Sequence, residues 1–277
     1  MDQQGEAIAG WASVNSLISQ FRGEFAAVGA AFIWAVASVI YVGLGKQMPP
    51  LVLNFTKSTI AIGLILLTLI LQGDFPPLEP HSLSVLLLSG AIGIGLGDTA
   101  FFASLNTIGA RRTLLLEALA PPLTALLAAL FLQEQLGLGA CLGIALTVCG
   151  VAWVVIERTA EGNQTYTHPL RGITFGLMAA LAQASGSVLS RSALMASEIS
   201  PLWSALTRLV GGVVILSLLL LGQTRIWQGF MPLRSARFWV ILTVTSFAGT
   251  YLGIWLQQTA LKYTQAGIAQ SLTAISP

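Results

Sequence analysis

The chain alternates long apolar runs with short polar breaks, and the runs share one length. A helix crosses the hydrocarbon layer of a bilayer in about 20 residues. Runs of that size occupy 24–45, 51–72, 82–105, 110–132, 137–156, 170–193, 201–221 and 238–260, and a ninth starts near 266. Several breaks carry helix stops: Met48-Pro49-Pro50, Gly73-Asp74-Phe75-Pro76-Pro77 and Ser200-Pro201. The longest break, 157–169, is polar and reads as a linker between two halves. Residues 1–22 hold Asp2, Glu6, Asn15 and Gln20 and lack a basic start followed by an apolar core. They read as a polar or interfacial tail, not a signal peptide.

Composition fixes the class. Of 277 residues, 55% are hydrophobic and 9% charged, whereas an ordinary soluble domain is about a quarter charged. Mean hydropathy is +0.80. So few charges cannot cover a soluble surface, and the pattern predicts an all-α polytopic membrane protein whose first partner is the lipid bilayer. The net charge of +2 and the absence of a basic run exclude a nucleic-acid partner. Cys141 and Cys149 fall in one apolar run, about 12 Å apart on a helix. That is too far for a disulfide, so they read as small packing residues.

The two halves repeat. Arg22-Gly23 opens the first span and Arg171-Gly172 the sixth, and Ser38 then falls opposite Ser187. After a two-residue shift Pro50-Leu51 matches Pro201-Leu202, and mid-helix Lys57 matches mid-helix Arg208. Without gaps, SLNTIGARRTLLLEALAP (104–121) aligns with ALKYTQAGIAQSLTAISP (260–277), with identical pairs Leu105/Leu261, Ala110/Ala266, Leu116/Leu272, Ala118/Ala274 and Pro121/Pro277. The repeats run 23–157 and 170–277, joined by 158–169 and preceded by the tail 1–22. A repeat of five spans is odd in number, so the second copy is expected upside down relative to the first. Inverted repeats place a solute site between the halves near the midplane.

Ionisable groups within spans are costly and by default mark function. Lys57 lies in the second span, Asp98 in the third and Glu117 in the fourth. Measured from one face, each sits about 9–10 Å deep. The first half thus holds a cation and two carboxylates at one level. The second half keeps the cation, Arg208, with Ile254 and Thr273 at the carboxylate positions. One reading is a polar cavity in which Asp98 or Glu117 takes up and releases a proton, because burial and a like-charged neighbour favour the protonated carboxylate. The other is a satisfied ion-pair cluster, or a Lys57 that snorkels to the headgroups. Lys262, at a helix end, reads as structural.

Pro121 removes a helical hydrogen bond and presses on the carbonyl of Glu117. Freed carbonyls at membrane depth suit a watery cavity, or a packing kink. Pro277 is the matching kink in the second half. Candidate wall residues share helix faces: Asn54 with Lys57, Trp34 with Ser38, and Gln183 with Ser187; Gln257 interrupts the eighth span, and Phe101 lies near Asp98. The glycine run GAIGIGLGD (90–98) lacks the spacing and lysine of a phosphate loop. It reads as close helix packing, as does Gly139–Gly143. His81 and His168 fall in loops beside prolines, with no HExxH, GxSxG or CxxC. No metal, no cofactor and no enzyme chemistry is expected.

With the repeat in hand, the sequence resembles the EamA-like family of the drug/metabolite transporter superfamily. The resemblance rests on ALAPPLTALLAALFLQEQLGLGACLGIALTVCGVAWVV (118–155), with Pro121, Glu134, Gly143 and Gly150 at the recurring positions. It implies ten spans, two inverted repeats, and a central cavity lined by the first, third, fourth, sixth, eighth and ninth spans. It implies alternating-access transport of small metabolites or drugs, usually outward, and a structural Glu134 bonding at a helix turn. It also implies a cytoplasmic N-terminus. The loop cations Lys46, Arg111, Arg112, Arg158, Arg171, Arg225, Arg234 and Arg237 instead favour an N-terminus outside. On this reading the chain carries eight complete spans and part of the ninth, cut at Pro277, and is a fragment. The competing readings are a membrane enzyme acting on lipid, which would need His81 or His168, and a non-transporting scaffold.

Overall fold

The computed structural model describes residues 20–45, 47–73, 79–135, 137–139, 141–143, 145–146, 148–150, 153, 169–222 and 235–275. The tail up to residue 19, linker residues 157–168 with Arg158 and His168, and also Lys46, Arg225, Arg234 and Pro277 lie outside the described residues.

Every described element is helical. In chain order these are α1 (Arg22–Gly45), α2 (Pro50–Gln72), α3 (Pro80–Gly90), a π-helical segment π1 (Ala91–Asp98), α4 (Thr99–Glu117) and α5 (Ala120–Phe131). A short apolar helix α6 (Cys141–Gly150) follows. The second half holds α7 (Pro169–Met195), α8 (Pro201–Leu221), α9 (Ala236–Thr245), a second π-helical segment π2 (Ser246–Leu252), α10 (Gly253–Tyr263) and α11 (Ala266–Thr273). Among the described residues, six stretches are long and apolar enough to cross a bilayer: Arg22–Gly45, Pro50–Gln72, Pro80–Glu117, Pro169–Met195, Pro201–Leu221 and Ala236–Tyr263. Large apolar side chains such as Phe32, Val39, Leu71 and Val240 stand exposed on their outer faces. Water would penalise such faces, whereas lipid solvates them. The protein is an integral, multi-pass membrane protein.

Local chemistry sets the helix ends. Pro50 and Pro201 sit in first turns, where a missing N–H is not needed. Ser200 caps α8 by accepting from the Trp203 N–H. Gly73 closes α2 in the left-handed conformation (φ 67°), its N–H bonding back to the Leu69 and Ile70 carbonyls.

Two breaks differ from the pattern read in the sequence. Pro80–Glu117 has 38 residues, about 57 Å of helix, nearly twice the hydrocarbon thickness. It is interrupted at Gly109, with φ 78° and ψ 166°, a region essentially restricted to glycine. The third span therefore runs on past residue 105, and a single residue separates it from the fourth. At Pro121 the structure holds more than a kink. Helix α4 stops at Glu117, Ala118 and Leu119 form a tightened turn, and α5 begins anew with proline in its first turn.

The halves pack crosswise. π1 lies against α7 and α8, the opening helices of the second half, while π2 lies against α1 and α2, those of the first. Glycines let backbones approach. A Cβ on Gly93 would stand 3.7 Å from the Gly186 Cα, and one on Gly249 would stand 2.8 Å from the Ala37 Cβ. In the register that pairs Ser104 with Ala260, Gly93 pairs with Gly249 and Gly97 with Gly253. In the register that pairs Arg22 with Arg171, Ala37 pairs with Gly186. The same contact is thus made twice, once in each direction. A Cβ on Gly90 would collide with the Arg208 backbone, and one on Gly211 with that of Leu87. The glycine run is a packing surface, as its composition indicates, wound as a π-helix. The close packing expected at Gly139 and Gly143 is not seen: no described neighbour lies within 4 Å of where a Cβ would stand. Cys141 and Cys149 are free and exposed, not packing residues.

Candidate functional site

A cavity of about 480 Å³ opens where the broken helices meet. Helix α1 contributes Trp34 and Ser38, α4 Phe101 and Glu117, α5 Pro121, and α7 Gln183. Gly249 and Thr250 come from π2, Ile254 and Gln257 from α10, and Gln270 and Thr273 from α11. Helices α2 and α8 reach it through one cation each, Lys57 and Arg208.

The Lys57 ammonium donates to Asp98 Oδ2 at 2.5 Å. Its side chain is 7% exposed, while that of Asp98 is 31% exposed. Behind the ammonium, the Phe102 and Tyr41 ring centroids lie 5.6 and 6.0 Å away. The pair is therefore dry on the lysine side and open to the cavity on the aspartate side. Asp98 shares the cavity wall with Glu117 and Arg208. Glu117 is half-buried, and its Oε2 is fully buried without a partner among the described residues. Arg208 is 1% exposed. Its Nη1 donates to Gln257 Oε1 at 3.3 Å, while Arg208 Nε and Gln257 Nε2 have no acceptor among the described residues.

The π segments carry much of this geometry. A π turn widens the helix and misaligns its hydrogen bonds, leaving carbonyls to be met from elsewhere. Asn54 Nδ2 donates to the Ile94 carbonyl at 2.7 Å and to Thr99 Oγ1 at 3.1 Å. The Trp34 indole N–H donates to the Gly249 carbonyl at 2.7 Å. Tyr41 reaches the Thr245 carbonyl at 3.3 Å and Thr250 Oγ1 at 3.1 Å. Each π segment is thus pinned by a first-half side chain, and Asp98 sits at the end of one of them.

Of the residues singled out from sequence, Lys57, Asp98, Glu117, Arg208, Trp34, Ser38, Phe101, Gln183, Gln257 and Pro121 all face this cavity. Asn54 and Ser187 do not line it. Asn54 is wholly buried and braces π1, one helical turn from Lys57. Ser187 is wholly buried at the crossing of α7 with the first half, its hydroxyl unpartnered. The expected partner of Pro121, Pro277, lies outside the described residues. Sequence reading passed over Tyr41 and Gln270, both in the wall. A signal existed for each, since Tyr41 shares a face with Trp34 and Ser38, and Gln270 with Thr273.

Glu134 lies away from the cavity. Its carboxylate accepts from the Ala266 N–H (3.1 Å to Oε2) at the start of α11, and from Arg191 Nε (3.3 Å to Oε1). Arg191 Nη1 in turn donates to the Leu261 and Lys262 carbonyls, at 2.7 and 2.9 Å. An acid at a helix N-terminus and a cation at a helix C-terminus each complement the dipole, so the pair clamps the corner between α10 and α11. Lys262 donates to the Ile199 carbonyl at 2.8 Å. Among the described residues no His, Cys, Asp and Glu cluster is placed to hold a metal.

No curated protein matches the chain in sequence. A crystal structure of a protein superposes on it with a TM-score of 0.66 and 16% identity, covering 93% of this chain and 85% of that one. At that identity the match shows the fold. The EamA-like transporter family matches residues 21–156 and again 170–277, most of the chain in two successive repeats, and the protein therefore belongs to the EamA-like transporter family, within the drug/metabolite transporter superfamily.

Proposed function

We propose that the protein is a secondary transporter that moves small metabolites or drugs outward by alternating access through the cavity described above. The observation that carries this reading is the cavity itself. It lies between two halves that pack crosswise, it is bounded by broken helices, and it gathers the charged layer of Lys57, Asp98, Glu117 and Arg208. The proposed architecture is two repeats of one helical plan, the second in inverted orientation to the first. The reciprocal contacts of π1 and π2 support a two-fold relation between the halves, and an odd number of spans in the first repeat would invert the second copy. The repeats are assigned to 23–157 and 170–277.

Proton coupling is assigned to Glu117, with Asp98 as its charged neighbour. Glu117 presents a buried, unpartnered oxygen beside a cavity, where a proton can be held or passed to solute and water. The Lys57–Asp98 pair fixes the local charge against which that proton moves. Trp34, Ser38, Phe101, Gln183 and Gln257 form the solute path, and Asn54 and Ser187 hold its walls in place.

A screen of metabolites gained or lost by overexpressing cells would name solutes. The purified protein in liposomes would then be driven by a pH gradient. Glu117→Gln is expected to abolish the response to the gradient, and Asp98→Asn to weaken it, both leaving exchange down a solute gradient. Unchanged pH-driven transport in both variants would falsify the coupling. Loss of no metabolite, and no flux in liposomes, would count against transport altogether.

A further inference from the structure

The charges in the cavity are unevenly matched. Lys57 is neutralised by Asp98 at contact distance. Arg208 has no carboxylate within ion-pair distance among the described residues and only the Gln257 amide oxygen as a hydrogen-bond partner. A guanidinium that is 1% exposed and so thinly served is costly. The fold nevertheless makes room for it. Arg208 Nη2 lies 3.1 Å from where a Cβ on Gly93 would stand and 3.4 Å from one on Gly186, so two glycines on facing helices accommodate the group. Its neighbour Gln257 is 2% exposed, and Gln257 Nε2, like Arg208 Nε, lacks an acceptor. Two hydrogen-bonded side chains in the wall of one cavity thus each keep an unmet donor.

We propose that Arg208 and Gln257 form an anion subsite that seats the carboxylate of an amphipathic monocarboxylate, the solute class of this transporter. The proposal rests on the cavity being a solute site, as argued above. A guanidinium and an amide N–H together suit the planar, two-oxygen carboxylate. While Glu117 holds its proton, one unpaired cation matches one negative charge. A phosphate dianion would meet Asp98 and Glu117 in the same cavity with only half its charge answered. The rest of the wall is mostly apolar, with Ile254, Leu114, Phe101 and Trp34 among its residues, and it would cover the apolar part of such a solute.

The test uses the full chain in lipid nanodiscs and a series of four- to nine-carbon monocarboxylates, each with its isosteric amine and alcohol. Affinity is read from the rise of the melting temperature with ligand concentration. Members of the carboxylate series are expected to bind about tenfold or more tightly than the matching alcohol, the scale of one charge-assisted hydrogen bond. Arg208→Gln should erase that preference and Arg208→Lys should keep part of it. Gln257→Leu leaves the cation in place and should weaken the carboxylate several-fold while sparing the alcohol. It also serves if Arg208→Gln does not fold. If the alcohols and amines bind as well as the acids, the subsite is wrong while the solute cavity stands. If carboxylate binding survives Gln257→Leu and Arg208→Gln unchanged, the acid is held elsewhere and the proposal fails. If no member of any series binds, the cavity is not a solute site and both readings fall together.

Discussion

The Lys57–Asp98 pair is asymmetric, and the asymmetry predicts how its two halves respond to removal. Asp98→Asn strands the ammonium in a site walled by Phe102 and Tyr41, with 7% of the lysine side chain exposed. Stranding one member of a fully buried pair costs about 3–5 kcal/mol. The remaining amide oxygen still accepts a hydrogen bond, and the cavity admits water on the aspartate side, so about 2–3 kcal/mol is expected here. Lys57→Met instead leaves a carboxylate that is 31% exposed, in a cavity that Arg208 also lines. Its loss is expected to cost only about 1–2 kcal/mol. The double variant removes both charges and fills the lysine volume with an apolar chain, which in other buried pairs is near neutral. It should therefore be more stable than Asp98→Asn alone. Reversible unfolding in mixed micelles, with a denaturing detergent titrated in, measures all four proteins. The coupling between the two sites should come out at about 2 kcal/mol or more. If the single losses simply add, to within about 0.5 kcal/mol, the two groups do not depend on each other and the dry-side, wet-side description is wrong.

Three further outcomes follow from the backbone. Gly109→Ala forces a side chain into φ 78°, ψ 166°, and should lower stability by about 1–3 kcal/mol in the same assay. Gly90→Ala and Gly211→Ala each drive a Cβ into a neighbouring backbone and should cost about 1–3 kcal/mol or more. Gly63→Ala, with nothing within 4 Å, should be neutral or stabilising by about 0.5–1 kcal/mol; equal effects at these three sites would refute the crosswise packing. Glu134→Gln keeps one acceptor for the Ala266 N–H but loses its charge toward Arg191. A loss of about 1–2 kcal/mol is expected, with little change in ligand affinity, because the clamp lies outside the cavity.

Much of this was legible in the sequence for one physical reason: a bilayer punishes polar groups in helices, so both the spans and the exceptions stand out. The third and seventh apolar runs, 82–105 and 201–221, correspond to helices beginning at Pro80 and Pro201. Counting depth from one face put Lys57, Asp98 and Glu117 at one level, and they surround one cavity. The glutamate-bearing turn was also visible, and Glu134 does bond at a helix start. What could not be read is where the backbone leaves the α-helix. A π segment has no residue preference strong enough to mark it, because it arises when one helix face must meet two neighbours at once. For the same reason Asn54 looked like a wall residue. It shares a face with Lys57, yet the widened turn of π1 offers it a carbonyl. Nor could the pattern show that Arg191 reaches the Leu261 and Lys262 carbonyls across the fold.

The repeat is near-symmetric in backbone and asymmetric in chemistry, and the combination matters for how the cavity works. Both halves supply a glycine-bearing π segment in the same register, pressed on the opening helices of the other half. Both supply one mid-helix cation. Only the first half adds carboxylates, while the second places Ile254 and Thr273 at the corresponding positions. A two-fold backbone can present two equivalent packings, because whatever arrangement one half gives up the other half can take on. Such an exchange of packings would suit the alternating access proposed above. Side chains need no such equivalence, because they act on the solute and not on the exchange of packings. On the function and the subsite proposed above, the first half is then free to hold the proton at Glu117, and the second the solute's charge at Arg208. Each function can then be removed without the other: Glu117→Gln should uncouple transport from pH while leaving carboxylate selectivity intact, and Arg208→Lys should blunt selectivity while leaving the response to pH.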